Sequence, residues 1–128
     1  MGEEIALGYL GVEQTVKCVT DGLKEISEKN DKLYSVFLSM CPRPRDGQWF
    51  EKARCEVNSQ VRAEIIRMSR EEGKRVIFIN MDPKLRNNSL FARDRVHLNY
   101  EGNKVLGSMM MSVLDTRARK AIGKRTRD

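Results

Sequence analysis

Apolar residues recur first at steps of three and four: Ile5, Tyr9, Val12, Val16, Val19, Leu23 and Ile26 share one face of a helix. The opposite face carries Glu13, Lys17, Asp21, Lys24 and Glu28, so one side is for burial and the other for water. The pattern then changes. Tyr34-Ser35-Val36-Phe37-Leu38-Ser39-Met40 is a short, mostly apolar and partly β-branched run stopped by Cys41-Pro42-Arg43-Pro44, which predicts a buried strand. Helical spacing returns from Phe50 to Glu72 through Phe50, Ala53, Val57, Val61, Ile65 and Met68, with Gly73 placed to end the helix in a left-handed conformation. Arg75-Val76-Ile77-Phe78-Ile79-Asn80 predicts a second buried strand.

A polar connection follows from Met81 to Val96, rich in Asn, Asp and Arg, and long enough to suggest a functional loop. Asn99 is placed to cap the last helix, whose stripe is Val105, Leu106, Met109, Met110, Val113 and Leu114. Periodicity fades from about Gly123, so residues 1–122 are expected to form one domain and 123–128 a basic tail.

The order helix, strand, helix, strand, helix predicts an α/β protein: a parallel sheet with right-handed crossovers, covered by helices. Two strands are too few for that architecture, because open edges remain and three amphipathic helices have too little sheet to cover. Further strands are therefore expected, most simply from an N-terminal portion absent from this chain. An open edge near Val36 also invites self-association.

Composition narrows the classes. The 128 residues are 40% hydrophobic and 33% charged, as in an ordinary folded domain. The net charge of +6 and the pI near 9.4 would draw acidic partners, yet much of the excess is local, in Arg117, Arg119, Lys120, Lys124, Arg125 and Arg127. A cationic helix end complements the helix dipole and stays solvated, so nucleic-acid binding would rest on the tail alone. Cys18, Cys41 and Cys55 are odd in number and form no CxxC pair, which predicts reduced thiols rather than a disulfide framework or a zinc site. With one histidine and no clustered acidic ligands, neither a metal nor a cofactor is called for. Met1-Gly2-Glu3-Glu4 lacks a basic n-region and apolar core, and Ala6 breaks the myristoylation pattern, so an intracellular setting without membrane anchoring is expected. No apolar run approaches membrane-spanning length.

The chemistry lies in Asp94-Arg95-Val96-His97-Leu98-Asn99, followed by Gly102. It places the only histidine three residues after a carboxylate, at an expected helix start. A carboxylate one turn away accepts the Nδ1 hydrogen of His97, fixes the tautomer, and leaves Nε2 free to take a proton from a serine or a water. Ser89 in the same loop is the local candidate nucleophile, although loop serines commonly serve turn chemistry. Ser35 and Ser39, in an apolar strand, are expected to be buried and hydrogen-bonded.

The block Asp94-xx-His97-Leu98-Asn99-xx-Gly102 resembles the last motif of the SGNH (GDSL-like) hydrolases, a family of esterases, lipases and acetylhydrolases with a flavodoxin-like α/β fold. In that family the block follows the final sheet strand and leads into the last helix, as Val76 to Ile79 and Tyr100 to Ala121 do here. Val36 to Pro44 likewise resembles its penultimate strand and Pro-containing loop, and Glu3 to Asn30 the helix after its third block. The resemblance implies that His97 is the general base, that Asp94 orients it, and that the substrate is a small carboxylic ester. The family's serine nucleophile and the glycine and asparagine of its oxyanion hole lie in earlier blocks not found here. The resemblance therefore implies a site completed by an N-terminal segment, with negligible hydrolysis by this chain alone. The competing expectation is a non-catalytic interaction module that pairs through its sheet edge or binds an acidic partner through its tail.

Overall fold

A computed structural model describes residues 11–127, and their side chains as far as Thr116. The chain is mixed α/β and mostly helical. Helix α1 (Val12–Lys29) leads to strand β1 (Ser35–Leu38), a 3-10 turn (Pro44–Asp46), helix α2 (Gly47–Glu71), strand β2 (Val76–Ile79), a second 3-10 turn (Asn88–Leu90) and helix α3 (Tyr100–Arg127). β1 is shorter than its predicted run, whereas β2 coincides with the apolar residues of its own. Ile5 and Tyr9, placed by periodicity on the first helix, lie outside the described residues, as do the side chains of the basic C-terminal cluster. The backbone of α3 stays helical through Arg127, so the segment from Gly123 continues the helix instead of leaving it.

β1 and β2 pair in parallel, Ser35 opposite Val76 and Leu38 opposite Ile79, as a connection through a whole helix permits. Alternation then assigns the faces. Phe37 and Phe78 are partners in register, stack with ring centroids 5.9 Å apart, and pack with Val76 against α1 and α2. Val36, Leu38, Ile77 and Ile79 face the other way, toward Val105, Leu106, Met109 and Val113 of α3. The sheet is thus covered on both sides, which is why both strands read as nearly continuous apolar runs.

Helix α2 supplies most of the core on its own side of the sheet: Phe50, Val57, Val61, Ile65 and Met68 are buried against Val19 and Leu23 of α1. It stops where Gly73 turns left-handed at φ 65°, letting the Lys74 N–H return to the Met68 carbonyl at 3.1 Å. β1 stops differently. Asn58 of α2 accepts from the Met40 N–H at 2.7 Å and donates to the Met40 carbonyl at 3.2 Å, taking the backbone groups that a longer strand would give to a neighbour.

Not every predicted core residue is buried. Ile26 lies seven residues after Val19, hence on nearly the same face of α1, yet it is 57% exposed, while Thr15 and Ser27 are buried instead. Leu33 and Tyr34, just ahead of β1, are also exposed, as are Met111 and Leu114 on α3.

Candidate functional site

The segment after β2 is anchored by the buried side chains of Met81, Leu85 and Phe91, and its turns are shaped by hydrogen bonding. Asn87 accepts from the Ser89 N–H at 3.0 Å, and this starts the 3-10 turn. Phe91 and Leu98 then form an antiparallel bridge, flanked by Ala92 N–H to His97 carbonyl at 2.7 Å and Asn99 N–H to Leu90 carbonyl at 2.9 Å. Between these strand-like arms Arg95 takes a left-handed conformation, φ 57°. That backbone costs a non-glycine residue about 1 kcal/mol, and its hydrogen-bonded neighbours hold it in place.

Asp94 closes the turn. Its Oδ1 accepts from the Val96 N–H at 2.9 Å and the His97 N–H at 3.1 Å, while its Oδ2 lies 2.6 Å from His97 Nδ1. The carboxylate can only accept, so Nδ1 carries the hydrogen, and in the neutral ring Nε2 then keeps its lone pair. The expected pair is therefore together, but by a different route from a helical turn: His97 stands outside α3, on the returning arm of a tight loop, and an Asx-type turn makes the approach. The hydrogen bond from His97, reinforced by the two backbone N–H groups, holds the Asp94 carboxyl well below the ordinary carboxylate range. Both side chains are accessible, His97 at 73% and Asp94 at 40%.

Asn99 anchors this loop to the last helix. Its Oδ1 accepts from the Gly102 N–H at 2.9 Å as the predicted N-cap, and its Nδ2 donates to the carbonyls of Ser89 (2.6 Å) and Phe91 (3.2 Å). Gly102 is required by space: a Cβ there would lie 2.3 Å from the Leu90 carbonyl oxygen. The four residues Asp94, His97, Asn99 and Gly102 thus form one construction, in which a close helix approach and a cap fix the arm that carries the imidazole.

The candidate serines fare differently. Ser39 is buried and its Oγ accepts from the Met81 N–H at 2.8 Å, whereas Ser35 on β1 is half-buried. Ser89 is exposed and engaged through its backbone. Among the described residues, the His97 ring hydrogen-bonds to Asp94 and to no serine, threonine or cysteine. No three His, Cys, Asp or Glu side chains among the described residues gather as metal ligands, and Cys18, Cys41 and Cys55 are free thiols. Burial pushes the Cys41 and Cys55 thiols up, which makes them less reactive.

A polar cluster not anticipated from sequence lies at the carboxyl ends of the strands, the end of an α/β sheet where ligands usually bind. Arg54 is 2% exposed; it donates to the Met40 carbonyl at 3.2 Å, to Asp82 at 2.7 Å, and through Nε to Glu51 at 2.8 Å. These bonds to Arg54 lower the Glu51 carboxyl below its ordinary value. Beside it opens a cleft of about 560 Å³ lined by Arg43, Gln48, Glu51, Arg86 and Asn88 among others. The imidazole does not line this cleft, although Arg95 of its loop accepts from the Arg45 N–H at 3.3 Å. The available signal was phase: Arg54 follows Phe50 by four and precedes Val57 by three, so it occupies the apolar stripe of α2.

No family model, curated protein or solved structure matches this chain. No described helix is long and apolar enough to cross a membrane.

Proposed function

We propose that the chain carries the general-base half of an SGNH-type ester hydrolase site on part of a flavodoxin-like α/β domain. The observation that supports this is the Asp94–His97 contact of 2.6 Å, with both carboxylate oxygens engaged and Nε2 left free. In this reading His97 takes the proton of an attacking serine hydroxyl and returns it to the leaving alkoxide, while Asp94 holds the tautomer and stabilises the imidazolium. The nucleophile and oxyanion donors come from strands beyond β1, supplied by a segment other than the residues described. The fold-level part rests on the motif's likeness, the parallel pair covered on both faces, and the position of the His97 loop after the second strand. The substrate is a small carboxylic ester.

The test compares p-nitrophenyl acetate hydrolysis by the protein as its natural source translates it with that by His97→Ala. A loss of about a thousandfold or more is expected, since removing the base of a triad forfeits most of the acyl-transfer rate. Equal rates would refute the assignment. The residues described, alone, are expected to hydrolyse the ester no faster than an accessible imidazole in water.

A second reading, an interaction module, is favoured by the outer edge of β1. The N–H groups of Ser35 and Ser39 donate to Arg75 and Ile79, so by alternation Val36 and Leu38 turn their backbone groups away from β2. No other strand among the described residues takes them. Concentration-independent monomeric sedimentation would count against this reading.

A further inference from the structure

The opposite edge of the sheet, that of β2, has a character of its own. Arg75, Ile77 and Ile79 face β1, so Val76, Phe78 and Asn80 direct their N–H and C=O groups outward. Two clefts of about 380 and 290 Å³ lie along this edge, between it and α2. They share Arg62, Ile66 and Phe78, so together they run from Val76 to Asp82 as one groove. Its middle is apolar: Ile66 is 37% exposed and Phe78 half-buried. Its rim is cationic. Arg62 and Arg70 are exposed, and neither has an ion-pair partner among the described residues. The one acid lining it, Asp82 at the far end, is engaged by buried Arg54.

We propose that this groove binds an extended acidic peptide segment, which adds to β2 as a further strand. The spacing defines the sequence it takes. Arg62 and Arg70 are eight residues apart on α2, about 12 Å along the axis, with Ile66 midway. On a strand, positions i and i+4 are about 13 Å apart and share a face with i+2. The ligand is therefore acid-x-apolar-x-acid: the two carboxylates meet Arg70 and Arg62, the apolar side chain sits on Ile66 and Phe78, and the backbone pairs with Val76 and Phe78. This motif reads the same in both directions, so the charges accept either strand polarity. Edge pairing supplies affinity and the alternating pockets supply selectivity. The inference is independent of the hydrolytic assignment, which concerns the Asp94–His97 turn and none of the residues that line this groove.

The probe is a fluorescein-labelled peptide, Thr-Thr-Glu-Thr-Ile-Thr-Glu-Thr-Thr, titrated against the full chain by anisotropy. Saturable binding is expected, weaker by about tenfold or more for the version with Lys in place of both Glu. The double variant Arg62→Glu, Arg70→Glu, both at exposed positions, should reverse that preference. Hydrogen exchange at the Val76 and Phe78 amides should slow when the peptide binds. Absent binding, equal binding of the two peptides, or binding without protection of those amides would overturn the proposal. So would protection that rises with protein concentration in the absence of peptide, which would assign the edge to a second copy of the chain.

Discussion

At the scale of single residues, the His97 turn is held by contacts that tolerate little change. Gly102 lets α3 start against the Leu90 carbonyl, and Asn99 ties that start to both arms of the turn. Gly102→Ala must displace backbone, not a flexible side chain, and is expected to cost about 2 kcal/mol in urea unfolding, within the range for overpacking. A change below a few tenths would show that the approach is looser. Asp94 makes the turn sensitive to acid. Its folded carboxyl is depressed, so its contribution is fully present above the ordinary carboxyl value of about 4 and is lost as pH falls through the lower folded value. The Val96 and His97 amide shifts should therefore hold steady at pH 4 and change only in stronger acid. A midpoint at or above about 4 would contradict the hydrogen bonding described.

At the scale of elements, α2 both fills the core and organises the carboxyl ends of the strands. Its Arg54 is buried, and truncating it would take the cation from Asp82 and Glu51 and leave the Met40 carbonyl to Asn58 alone. Arg54→Met should destabilise the chain by about 3 kcal/mol, the usual penalty for breaking a buried charge pair from one side. Asp82→Asn in the same background should recover part of that loss. If Arg54→Met alone were neutral, the network would contribute nothing to folding. Much of this level was legible in the sequence: the strands lie inside their apolar runs, Gly73 ends α2, and Asn99 caps α3. Periodicity tells which face is apolar, but not whether anything lies against it, and so Ile26 was expected inside and stands in water. Arg54 was missed for the complementary reason, since a charged residue in an apolar stripe reads as an exception until its partners from β1 and the loop after β2 are seen together.

At the scale of the whole molecule, the described residues form a sheet two strands wide and covered on both faces, with exposed apolar residues on α1 and α3 and backbone groups turned outward along both edges. The pairing of Asp94 with His97 was readable because residues three apart must be neighbours in most compact backbones. The left-handed Arg95 and the Asx-type closure that achieve it were not, because the polar loop has no periodicity to read. What results is an exposed imidazole tied through Nδ1 to Asp94, with no hydrogen bond to its outer nitrogen among the described residues. The central claim is that Asp94 prepares His97 as a base, and the ring nitrogens of the folded chain report it directly. Long-range proton–nitrogen correlation spectra, taken where the imidazole is neutral, should show Nδ1 protonated and Nε2 bare, with Asp94→Asn shifting the ring toward the other tautomer. A predominantly Nε2-protonated ring, or spectra unchanged by Asp94→Asn, would contradict it.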